Sequence, residues 1–195
     1  MKKILFVMVL LFIAPSVTYA FSFSDLFWWR NDVVEEQNTV ELNAKQKVTA
    51  QQKLTAWINA YNKKDLALVS NNEDYTTMSE EELNYILQEQ LKEYDNAPIQ
   101  DVSIKLDDNK IILEGYALKP FKGNVYIELR VEVMEEKLYF YISKAKYMGF
   151  PVPGSLIGRL IYGHLEPISN FFFNDENNKL QDIITDKDLI KFVFE

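Results

Sequence analysis

Apolar positions in this chain follow a three-to-four spacing over residues 49–94, strict alternation over 100–143 and a broad helical stripe over 155–172, with polar stretches between. Leu54, Trp57, Ile58 and Tyr61 recur at helical intervals, and Thr49 and Gln52 have the spacing of a capping box, so a helix is predicted from about Thr49 to Asn62. The next helix is better marked. Ser79 is followed three residues later by Glu82, Met78 and Leu83 are placed as a hydrophobic staple, and Leu83, Ile86, Leu87, Leu91 and Tyr94 form the stripe. Glu80, Glu81 and Glu82 stand at the positive end of the helix dipole, a role that explains this acidic cluster better than a cation site does.

From Gln100 the period falls to two. Val102, Ile104 and Leu106 alternate with polar residues, Asp107-Asp108-Asn109 makes a turn, and Ile111 to Leu118 returns as a second strand with a bulge expected at Gly115. After a loop at Lys119 to Gly123, Val125, Ile127, Leu129, Val131 and Val133 share one face of a third strand. Glu135-Glu136 turns the chain, and Leu138, Phe140 and Ile142 then face the same way, opposite Tyr139, Tyr141 and Ser143. The four strands form an antiparallel meander with one strongly apolar face.

Met148 to Gly154 leads into a helix predicted from about Ser155 to Phe172, whose apolar face is wide: Leu156, Ile157, Leu160, Ile161, Leu165, Ile168, Phe171 and Phe172. Gly154, Gly158 and Gly163 notch it, which permits either close packing against the sheet or direct contact with a ligand. Leu180 to Ile184 and Leu189 to Phe194 read as two short final strands, with Thr185 to Asp188 able to start a short helix instead.

The N-terminus has a different design. Lys2 and Lys3 precede an 11-residue apolar run, Ile4 to Ala14, and Thr18-Tyr19-Ala20 ends on a small residue, the layout of a cleavable export signal. Spanning a bilayer as a helix takes about 20 residues, so an anchor is the weaker reading of so short a run. If retained, it would carry Phe21, Phe23, Phe27, Trp28 and Trp29 as an interfacial aromatic belt. Once cleaved, Phe27, Trp28 and Trp29 can form a membrane foot or a partner-docking peptide, or fold back onto the domain. Residues 31–47 have the polar composition of a linker. The expected organisation is a signal peptide over 1–20, an aromatic segment and linker over 21–47, and a single domain over 48–195.

Charge and chemistry narrow the function. Loss of Lys2 and Lys3 with the leader leaves 19 basic against 29 acidic residues, a net charge of −10. That argues against nucleic acid, which is bound through cations displacing phosphate counterions, and against docking on anionic lipid by net charge alone. There is no cysteine, so the expected domain holds together by core burial without disulfides. His164 is the one histidine, no Gly-rich phosphate loop or Gly-x-Ser-x-Gly elbow occurs, and Asn174 to Asn178 lacks calcium-loop spacing. The sequence predicts neither catalysis, a cofactor nor a bound metal.

The stretch Met78-Ser-Glu-Glu-Glu-Leu-Asn-Tyr-Ile-Leu87, the meander, and Gly149-Phe-Pro-Val-Pro153 entering an amphipathic helix together resemble the YpmS-type and LmeA-type lipid-binding families, relatives of the tubular lipid-binding superfamily. The resemblance covers about residues 76 to 195. It implies a strongly curved sheet wrapped around a long helix; with the helix from Thr49 to Asn62, which lies outside the resemblance, the expected fold is α+β, N-terminal helices followed by a curved antiparallel meander of at least four strands around a long amphipathic helix. A lipid or other hydrophobic ligand would then lie between sheet and helix, against Leu83, Leu87, Val125, Ile127, Leu129, Phe140, Ile142, Ile157, Leu160 and Ile161. The expected role is a carrier or sensor in the cell envelope, periplasmic or on an extracytoplasmic membrane face, with a possible membrane or envelope-protein partner reached through residues 21–30. Two alternatives stand beside it. One is an envelope interaction module with a closed core. The other is a binding domain of the nuclear-transport-factor-like type, which the stretch Gln51 to Asp74 also resembles, although a long apolar helix after the sheet departs from that pattern.

Overall fold

The computed structural model describes residues 42, 44–92, 99–118, 122–155, 169–173 and 178–195. The fold is α+β, with a five-stranded and a three-stranded antiparallel sheet and a few helices.

The first helix, α1 (Ala44–Lys63), begins five residues earlier than its sequence predicts. The Thr49 hydroxyl does not cap it; it donates back to Lys45 O at 3.0 Å from inside the helix. Residues 44–47, which read as linker, are helical, and Leu42 just ahead of them is buried. The buried face is also displaced from the predicted stripe. Ala50, Lys53, Trp57 and Ala60 lie inside, whereas Leu54, Ile58 and Tyr61 are half-buried. Two single-turn helices follow, α2 (Ala67–Ser70) and α3 (Glu73–Thr76), the latter capped by the Asn72 side chain accepting from Asp74 N.

A three-residue strand, β1 (Thr77–Ser79), then runs into α4 (Glu80–Lys92). The capping box forms as predicted: Glu82 N donates to Ser79 Oγ at 3.2 Å and Ser79 N donates to Glu82 Oε2 at 3.0 Å. Met78 and Leu83 are both buried, as are Ile86 and Leu87.

The meander consists of β2 (Ile99–Asp107), β3 (Lys110–Ala117), β4 (Gly123–Met134) and β5 (Lys137–Tyr147), extended by a two-residue β6 (Phe150–Pro151), in the spatial order of the sequence. The β2–β3, β4–β5 and β5–β6 turns are tight, and Asn109, Glu135, Glu136 and Met148 take up positive φ there. Gly115 is not itself bulged; it pairs regularly with Val125. The irregularity lies opposite, on β2 between Gln100 and Ser103, where Asp101 has φ +52°. A Cβ on Gly115 would stand 3.0 Å from Ile99 Cδ1 and 3.3 Å from Val102 Cγ2, so glycine here suits a close approach of those side chains rather than an unusual backbone conformation. A second bulge interrupts β4 and β5: Glu128 pairs with Lys144 but Leu129 with Ile142, leaving Ser143 as the extra residue. Beyond it the inward positions shift by one, to Ala145 and Tyr147.

The last two strands, β7 (Leu180–Asp186) and β8 (Leu189–Phe194), form a hairpin; Thr185 and Asp186 extend β7 instead of starting a helix. β8 pairs on its other side with β1, giving the order β1-β8-β7. The small sheet lies against the large one, β7 touching β2, β3 and β4, and the β2–β3 turn donates Asn109 N to Thr185 O at 2.9 Å. One contiguous buried cluster joins α1, α4 and both sheets.

Candidate functional site

The inward face of the large sheet changes character along the β4–β5 hairpin. Val125, Ile127 and Leu129 are at most 4% exposed and pack into the core with Ile104, Leu106, Ile111 and Leu113. Further along, Val131, Val133, Phe140 and Ile142 share the same face and remain only half-buried, although Leu138, opposite Val133, is buried. Strand alternation puts them on that face.

Residues 154–155 and 169–173 are helical, and both pieces rest on β5. A Cβ on Gly154 would stand 3.2 Å from Ile142 O, so glycine lets backbone meet backbone. Ser169 Oγ accepts from Leu138 N at 3.4 Å. Phe172 is buried against Trp57 and Phe192, with ring centroids 6.0 and 6.2 Å away, while half-buried Phe171 meets Tyr61 at 5.2 Å. Trp57 satisfies its indole N–H on Tyr75 O at 2.8 Å, which allows so large a polar-tipped ring to sit in the core. Phe171 and Phe173 are half-buried at the margin of the core.

The outward face of the same sheet carries a polar cluster at the β5 bulge. Ser143 Oγ donates to Glu128 at 3.0 Å, Tyr126 OH donates to the other carboxylate oxygen at 3.2 Å, and Lys110 Nζ stands 3.4 Å away. The Ser143 hydroxyl, against a smaller push from burial and helped by Tyr126 and Lys110, holds the Glu128 carboxyl below the ordinary glutamate range. Burial, followed by Glu128 itself, raises the Tyr126 phenol. A carboxylate so stabilised is a weak base, so the arrangement does not activate the Ser143 hydroxyl. Among the described residues no group of His, Asp and Glu side chains could hold a metal ion, and no helix is long and apolar enough to cross a membrane.

Of the positions expected to line a ligand, Leu83 and Leu87 on α4 and Val125, Ile127 and Leu129 on β4 come together in the packed core. Phe140 and Ile142 lie at its half-open margin. Ile157, Leu160 and Ile161, and the aromatic residues Phe27, Trp28 and Trp29, lie outside the described residues. Reasoning from sequence did not assign Val131 and Val133 to the site, although the strand alternation already put both on the ligand side.

In comparisons with family models, curated proteins and solved structures, nothing matches the chain. The functional reading therefore rests on the residues and their arrangement.

Proposed function

We propose that this is an exported, non-enzymatic protein of the cell envelope that holds a lipid or other hydrophobic ligand between the β4–β5 face and segment 155–172. That segment is read as an amphipathic helix around which the sheet curves. The observation that carries the proposal is the step in burial along one apolar face, from Val125, Ile127 and Leu129 to half-covered Val131, Val133, Phe140 and Ile142. An apolar face that a domain leaves incompletely covered has a hydration cost, which an acyl chain would relieve at about 25 cal/mol per Å². The attachment of residues 154 and 169 to β5 supports the location, since both flanks of the segment meet the strand that carries Phe140 and Ile142. Export rests on the leader-like residues 1–20, and the periplasmic or extracytoplasmic location follows from it.

Ile142→Trp is the direct test. A larger ring at the half-open margin should fill the space and leave the fold in place, at a cost of about 1–3 kcal/mol. A naturally fluorescent fatty acid should bind the native protein and lose at least about tenfold in affinity on the variant, with an unchanged far-ultraviolet circular dichroism spectrum. Equal binding by a folded variant would remove this face as the site.

A second reading has its own support. Leu87, Ile127 and Leu129 are each 1% exposed, as in an ordinary closed core, and such a core would make the domain an envelope interaction module with no ligand.

A further inference from the structure

Whole-chain charge conceals how the cations are distributed. The chain carries −8 overall, yet β5 contains three lysines and no acid, with Lys137, Tyr139, Tyr141, Lys144 and Lys146 all turned to the outward face. Arg130 on β4 pairs in register with Tyr141 and is exposed beside it. Of these cations, Lys144 lies over the Tyr126 ring at 5.3 Å, while Arg130, Lys137 and Lys146 make no ion pair among the described residues. Acids share this side of the sheet, with Glu114 opposite Tyr126 on β3 and Glu135 in the β4–β5 turn, but they flank β5 rather than lie on it. Glu128 is engaged by Ser143, Tyr126 and Lys110, Glu136 by Lys179 at 2.7 Å, and Glu132 stands opposite Tyr139. Tyr141, on this outward face, is 40% exposed. β6 pairs with only Lys146 and Tyr147, so most of β5 lies at the margin of the sheet.

We infer that the strip from Tyr139 to Lys146, with Arg130 beside it, docks the protein on an anionic bilayer surface. Lysine and arginine meet lipid phosphates there, and tyrosine places its ring among the acyl chains and its hydroxyl among the headgroups. The acidic remainder of the chain is repelled by such a surface, so the interaction orients the molecule with β5 toward the lipid. A second copy fits poorly, because a two-fold contact through this strip would set one cationic patch against another. This docking is separate from ligand binding inside the fold; either can fail without the other.

The test is flotation of the exported chain, purified without detergent, with vesicles of phosphatidylcholine alone and of phosphatidylcholine mixed with phosphatidylglycerol. The readout is the difference between the two, which cancels any contribution from the aromatic N-terminal segment that does not depend on lipid charge. The native protein should prefer the anionic vesicles, and the preference should fade with added salt. Lys144→Gln with Lys146→Gln should weaken anionic binding about thirtyfold, at roughly tenfold per 1.4 kcal/mol for two lysines near the surface. Lys187→Gln, in the exposed β7–β8 turn, should leave it unchanged. Equal binding to both vesicles, an undiminished preference in the double variant, or a dimer of the native protein that the double variant abolishes would each overturn the inference. The salt dependence of the native protein decides the matter if the double variant does not fold.

Discussion

Glu82 is where local and distant requirements meet in one side chain. It closes the capping box on Ser79 N, and the same oxygen accepts from Lys53 Nζ at 2.7 Å, while Lys53 also reaches Thr77 O at 2.8 Å. The capping half was legible from a spacing of three; the ion pair was not, because Lys53 reads as a solvent position and only the fold turns it inward to 8% exposure. Removing one member of a buried pair strands the other, so Lys53→Met should cost about 3–5 kcal/mol in denaturant unfolding. Adding Glu82→Gln should recover part of that loss, a coupling measured by the double-mutant cycle. At the bulge, Glu128 has a depressed folded pKa. Its contribution is therefore present above the unfolded glutamate value and lost as the pH falls through the lower, folded one. A carboxyl titration followed by NMR should place Glu128 below ordinary glutamates, and Ser143→Ala should move it upward.

At the level of elements, α4 does more than bury a stripe. Glu80 Oε2 accepts from Leu106 N at 2.7 Å, Asn84 exchanges hydrogen bonds with Ile104 N and O, and Gln88 donates to Val102 O. Four helical residues rise about 6 Å and two strand residues about 6.6 Å, so side chains spaced by four keep step with alternate backbone groups of β2. The helix thereby covers the free edge of the large sheet with polar groups. Asn84→Ala leaves two backbone groups of Ile104 without their partner and should cost about 2 kcal/mol. It should also produce more concentration-dependent association in sedimentation velocity than the native chain, by uncovering the edge of β2. Sequence periodicity found α4 and the meander because caps, turns and alternation are local. It misplaced the start of α1, whose inward positions Ala50, Lys53 and Ala60 carry little apolar signal. It stopped short at β5, where the Ser143 bulge exchanges the two faces.

For the whole molecule, the α+β class and the antiparallel meander followed from the order of the periods, but the partition into two sheets did not. β1 has three residues, and its partner is β8, with Met78 opposite Ile190; no local pattern announces a pairing made only when the chain ends meet. The aromatic cluster of Trp57, Phe172 and Phe192 has the same origin, drawing its rings from three distant stretches. The candidate site was half legible for this reason. Alternation shows which face of β4 and β5 is apolar, while the depth of its cover depends on elements far away in sequence. The central claim is that a ligand completes that cover, and native mass spectrometry of the chain, exported and purified without detergent, tests it most directly. The account predicts a co-purifying lipid at close to one per chain, released on denaturation and identified by extraction; a clean protein mass that stays unchanged when lipid is added would contradict it.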